Sequence, residues 1–170
     1  MKLAIFRKDN KKPDIQGFAN LGCLRFKKDK IKKLEKHYQL TDAEFEKQFA
    51  NCTLDAKLFS HEAHLRLAWI HLDKYGIDQA IQSICLQLVN FVDSLGASDK
   101  YNKTVTIAAV RAVYHFMLKS ETANFKDFIA ENPRLKHNFK ELLRFHYKTD
   151  IFNSELAKKE YLEPELLPFD

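Results

Sequence analysis

The residues best suited to chemistry fall on two stretches of the chain. The first is Phe59-Ser60-His61-Glu62-Ala63-His64-Leu65-Arg66-Leu67-Ala68-Trp69-Ile70-His71-Leu72. His61 and His64 stand at i and i+3, a spacing that brings two imidazoles to one side of a helix. There they can reach one transition-metal ion or one small molecule. His61, His64, Ala68, His71 and Tyr75 share one stripe at about 100° per residue. The second stretch places Tyr101, Thr104, Ala108, Arg111 and His115 on a similar stripe. Two polar stripes with an alanine at each centre are expected to face each other across a hollow, as in ligand-binding helical bundles. The candidate ligand-binding residues are therefore His61, His64, Arg66, Tyr101, Thr104, Arg111 and His115, with His61 and His64 as candidate metal ligands.

Each of these residues also has a plainer reading. His61 and His64 suit core-edge histidines satisfied by hydrogen bonds. Arg66 follows Glu62 by four residues and suits a helix-surface ion pair, with Trp69 near enough to stack on it. Its functional reading is an anion clamp at the pocket edge. Thr104 and Thr106 open a helix, where they can cap it or bring an anion to its free N–H groups. His-Glu-Ala-His is one residue short of the H-E-x-x-H zinc motif, so Glu62 does not inherit that motif's general-base role. His71 is about 10 Å along the axis from His64 and cannot easily join the same ion. Cys85 lies on an apolar helix and reads as core.

The elements that must position these side chains are helices. The chain has 170 residues, 45% hydrophobic and 30% charged, which suits one soluble domain. Its four glycines (Gly17, Gly22, Gly76, Gly96) form no phosphate-cradling loop and no nucleophile elbow. No proline falls between Pro13 and Pro133, so long helices run unbroken. Thr41-Asp42-Ala43-Glu44 is a capping box that starts the first clear helix. A second helix is expected from about Asp55 to Tyr75, ended by Gly76, and a third from about Asp78 to Leu95, ended by Gly96. A fourth is expected from about Lys103 to Lys119. Shorter helices follow near Phe125 to Ala130, Leu135 to Tyr147 and beyond Ser154, and the proline-containing tail is expected to lie back on the bundle. The fold class is all-α: an irregular bundle of about five to seven helices over residues 41–170, preceded by a basic arm over residues 1–40.

Charge supports that division. Residues 1–38 hold 12 Lys/Arg and four acids, a balance of +8 within a total of +5. The arm suits a solvated lysine-rich face, and it could also meet nucleic acid or a partner protein. Cys23, Cys52 and Cys85 are distant and odd in number, so a disulfide framework is not expected and a cytoplasmic setting is. No apolar stretch is long enough to insert in a membrane.

The segment from Phe59 to Leu72 resembles a family of small bacterial helical proteins. These carry an F-x-H-x-x-H-x-R-x-A-W-x-x-L helix, a Y-H-x-T-x-T segment and an acidic, proline-containing tail. The second segment here is Tyr101-Asn102-Lys103-Thr104-Val105-Thr106, with Asn102 in place of the family's histidine, and the tail is Leu162-Glu163-Pro164-Glu165-Leu166-Leu167-Pro168. The resemblance spans about residues 41–170. It groups His61, His64, Arg66, Tyr101 and Thr104 but implies no activity. If the family's histidine titrates in function, Asn102 cannot replace it, since an amide does not titrate. Three functions follow: a ligand-binding or catalytic bundle, an interaction module working through the arm, or a structural adaptor.

Overall fold

The computed structural model describes residues 35–169. The arm, its lysine run and Cys23 lie almost wholly outside them. Among the described residues there are seven α-helices and no strand.

A short 3-10 turn, Lys36–Gln39, leads into α1, Asp42–Ala50. The capping box forms as its sequence requires. The Thr41 hydroxyl accepts from the Glu44 N–H, and the Glu44 carboxylate accepts from the Thr41 N–H. Phe45 and Phe49, one turn apart, both point into the core.

The next helix starts later than expected. Asp55 caps only a 3-10 turn, Ala56–Leu58, by accepting from the Lys57 N–H. Ser60 is the true cap of α2, His61–Ser94, accepting from the Ala63 N–H. Inside α2, Gly76 adopts φ 75° and ψ 173°, a conformation open essentially to glycine alone. It divides α2 into limbs 61–75 and 77–94. The expected second and third helices are thus two limbs of one broken rod.

Helix α3, Lys103–Met117, is capped by Asn102. Helices α4, Phe125–Glu131, and α5, Pro133–His137, follow, with Pro133 opening α5. The expected helix from Leu135 to Tyr147 is broken at Asn138 (φ −130°, ψ 31°), and α6 spans Phe139–Leu143. Ser154 caps α7, Glu155–Lys159.

The main core gathers Phe45, Phe49, Leu65, Leu67, Ile70, Phe91, Phe128 and Leu135 from α1, α2, α4 and α5. A second cluster joins Ala108 of α3 to Leu143, Tyr147, Ile151 and Ala157. Burying these side chains is the main drive that holds short C-terminal helices of marginal intrinsic stability. The tail does lie back on the bundle. The Leu166 N–H donates to the His146 carbonyl, the His146 Nδ1–H donates to the Leu167 carbonyl, and Phe169 stacks on the His146 ring at 4.0 Å. Among the described residues no helix is long and apolar enough to cross a membrane.

Candidate functional site

A cavity of about 320 Å³ lies between α2 and α3. That volume falls within the usual range of small-ligand sites, about 300–1,000 Å³. Its walls are mostly apolar: Leu65, Ala68 and Leu88 from α2, Val105, Ala109 and Val110 from α3, with Phe59 and Phe139 from neighbouring segments. Ala68 and Ala109 leave the room that larger side chains would fill. His61, His64, Lys100, Asn102 and Thr106 supply its polar groups.

The two histidines are held in defined tautomers. His61 Nε2 lies 2.9 Å from the Leu135 carbonyl, and His64 Nδ1 lies 2.9 Å from the Ser60 carbonyl. A carbonyl only accepts, so the ring N–H sits at Nε2 in His61 and at Nδ1 in His64. In the neutral form His61 Nδ1 and His64 Nε2 then carry lone pairs. His64 opens to the cavity but is crowded by Phe59, ring centroids 3.8 Å apart. Crowding by the surrounding side chains lowers its pKa, opposed by the bond to Ser60 and helped by the nearby His61, while the ring edge stays exposed. It is therefore neutral at pH 7, an acceptor and a weak base.

The other polar groups of the cavity are already engaged. Asn102 Oδ1 accepts from the Val105 N–H and its Nδ2 donates to the Ile151 carbonyl, 2.8 Å away. The Thr106 hydroxyl donates to the Asn102 carbonyl. Lys100 pairs with Asp99 at 3.3 Å.

Five expected site residues lie elsewhere. Arg66 points away from the cavity into a buried polar cluster. Its guanidinium donates to the His37 carbonyl (2.6 Å), the Leu40 carbonyl (2.9 Å) and the Asp42 carboxylate (2.7 Å). It packs over the Phe45 and Tyr38 rings, not against Trp69 as expected. Nor does it form the expected surface pair with Glu62. Glu62 is itself buried, accepts from the Tyr38 hydroxyl at 2.8 Å and pairs with Lys136. His37 completes the cluster, and burial together with the Arg66 charge lowers its pKa to about 4.

Thr104 is fully buried and staples the C-terminal segment: its hydroxyl donates to the Glu160 carbonyl (2.7 Å) and accepts from the Leu162 N–H (3.0 Å). Tyr101 bonds to the Cys85 thiol, and burial raises the pKa of both. Arg111 lies over the Tyr161 ring at 5.8 Å. His115 sits beside Lys119, next to a separate hollow lined by Arg134 and His146. The stripe from Thr104 to Arg111 therefore faces the C-terminal segment, with Ala108 buried against it, whereas Tyr101 turns to Cys85 of α2. The cavity face of α3 is the neighbouring one, through Asn102, Val105, Thr106 and Ala109. One residue is about 100° of rotation, enough to exchange the faces. The signal that could have found the right face was its small and apolar run, Val105, Ala109 and Val110, which matches the apolar wall of α2.

No group of three or more His, Cys, Asp or Glu residues suited to a metal occurs among the described residues. The chain matches no protein-family model, no curated protein and no solved structure.

Proposed function

We propose that this protein binds a small organic molecule in the cavity between α2 and α3. The apolar body packs on Ala68, Val105, Ala109 and Phe139, and an O–H or N–H donor meets the lone pairs of His61 and His64. One observation carries this reading: each imidazole is anchored by one nitrogen to a backbone carbonyl, at the wall of a mostly apolar cavity. Anchored acceptors are preorganised and lose little entropy on binding. The low pKa of His64 favours a neutral ligand over an acid that must form an ion pair with imidazolium. The resemblance of residues 59–72 to the bacterial helical family supports treating the two histidines as a set. A metal would have to take His61 and His64 with donors from outside the described groups, so the organic ligand is preferred.

The test uses 2-naphthol, an apolar bicycle with one O–H donor, against 2-methoxynaphthalene, which has none. The expected result is at least fivefold tighter binding of 2-naphthol by titration and thermal shift. The preference disappears in a His61→Ala/His64→Ala double variant, and both compounds lose binding in Ala109→Phe, which fills the cavity. Equal binding of the two compounds, or retention in Ala109→Phe, overturns the proposal.

A second reading rests on the +8 balance of residues 1–38: the arm contacts nucleic acid. Unchanged retention on a low-salt nucleic-acid column after deletion of residues 1–33 would reject it.

A further inference from the structure

The cavity between α2 and α3 has two kinds of wall. The helices line it with aliphatic side chains, Leu65 and Leu88 from α2, Val105 and Val110 from α3. The rest of the wall is built from rings. Phe59 precedes α2, Phe139 opens α6, Phe152 lies in the turn before α7, and His61 and His64 add two imidazoles. None of these five rings is buried, so each has surface to offer a guest. Each acceptor imidazole has a phenylalanine at its side. The ring centres of Phe59 and His64 are 3.8 Å apart, and those of Phe139 and His61 are 5.0 Å apart.

The rings are held from outside the cavity. Phe59 stacks on Phe49 at 4.6 Å and meets Phe91 edge-on at 5.1 Å, and both partners lie deep in the core. The Lys140 ammonium sits over the Phe152 ring, 5.1 Å from its centre. Rings already in place cost a guest little to order. An aliphatic wall accepts an apolar body in proportion to the area buried, and so does not tell a flat ring from a saturated one. An aromatic wall does, because ring quadrupoles prefer offset-stacked or edge-to-face partners that another π-system supplies. Lys100 also lines the cavity, but its side chain is 74% exposed and pairs with Asp99 at 3.3 Å. It borders the opening, where a π face attracts an ammonium.

We infer that the ligand of this cavity is a planar aromatic compound bearing its hydroxyl or amine donor, not an aliphatic or alicyclic one. This rests on the reading of His61 and His64 as acceptors for such a donor, and adds the nature of the body that carries it.

The test compares 2-naphthalenemethanol with its saturated counterpart, decahydro-2-naphthalenemethanol, by titration against the full chain. Both carry the same primary alcohol, so donor strength does not separate them. The saturated body has the larger apolar surface, so area alone would favour it. The aromatic alcohol is expected to bind roughly threefold tighter or more. In Phe139→Leu and Phe152→Leu, which keep an apolar side chain without a ring, that advantage should shrink toward one. The preference for 2-naphthol over 2-methoxynaphthalene should persist in both. The wild-type comparison decides the matter if either variant fails to fold. Equal or tighter binding of the saturated alcohol overturns the inference, while the hydroxyl preference keeps the cavity reading intact. An aromatic advantage unchanged in both folded leucine variants also overturns it. If neither alcohol binds, this inference and the reading beneath it fall together.

Discussion

On one face of the first α2 limb, Glu62 and Arg66 are buried and fully engaged. On the adjacent face, His61 and His64 each use one ring nitrogen and leave the other to a cavity. The four residues interleave within six positions, yet one pair is tied into the buried core and the other lines a cavity. The difference lies in what surrounds each face. The 3-10 turn at Lys36–Gln39 and α1 close over Arg66 with two backbone carbonyls and a carboxylate. Opposite His61 and His64, α3 presents alanine and valine, which neither bond to the rings nor fill the space. A polar side chain becomes structural when its neighbour supplies a complementary partner, and remains open when the neighbour is small and apolar.

That contrast can be broken most sharply at Arg66. Arg66→Ala leaves the buried His37 carbonyl, the half-buried Leu40 carbonyl and Asp42 without their donor, and is expected to cost about 3 kcal/mol in urea unfolding. 2-Naphthol affinity of the folded fraction should not change. Equal losses of stability and affinity would show that the two faces act as one unit.

Acid should act next, again through the buried face. His37 has a folded pKa of about 4 against an ordinary 6.5, so between those values the unfolded state binds more protons. Stability contributed by neutral His37 is complete above pH 6.5, falls as pH drops toward 4 and levels off below. The loss is of order 3 kcal/mol, from about 1.36 kcal/mol per pH unit. Unfolding free energies measured from pH 7 to 4 should slope less steeply in His37→Gln. An unchanged slope would place the titration elsewhere.

The start of α3 should be intermediate. Asn102→Ala removes the helix cap and the bond to the Ile151 carbonyl, and about 1–2 kcal/mol should be lost on thermal unfolding. Helix content near the C-terminus should fall with it, because Asn102 and Thr104 hold that segment.

The smallest effect on stability belongs to the open face. His61→Ala removes one bond to the Leu135 carbonyl at an accessible position, and should cost less than about 1 kcal/mol. The cost in 2-naphthol binding should be larger than the cost in stability, the reverse of Arg66→Ala.

Local chemistry was readable along the chain. The Thr41–Glu44 box and the Ser154 cap form where their sequences specify, and Gly76 breaks the helix where expected, because each depends on atoms within a few residues. His61 and His64 were legible as a pair for the same reason. Arg66 was not. Its i−4 neighbour Glu62 offered a local partner, but Tyr38 and Lys136 compete for that carboxylate, and more distant groups in sequence claim the guanidinium.

The sequence alone determined that the chain is helical, where most helices begin, and that two imidazoles share a turn. Capping, periodicity and glycine conformation are short-range and leave little choice. Only the tertiary structure decided which face of α3 meets α2, that Tyr101 and Thr104 serve the packing of α3, and that a hollow remains beside Ala68 and Ala109. Those outcomes depend on how rods rotate and dock. A turn of about 100° costs a helix almost nothing by itself and is fixed only when all the packed faces are satisfied together.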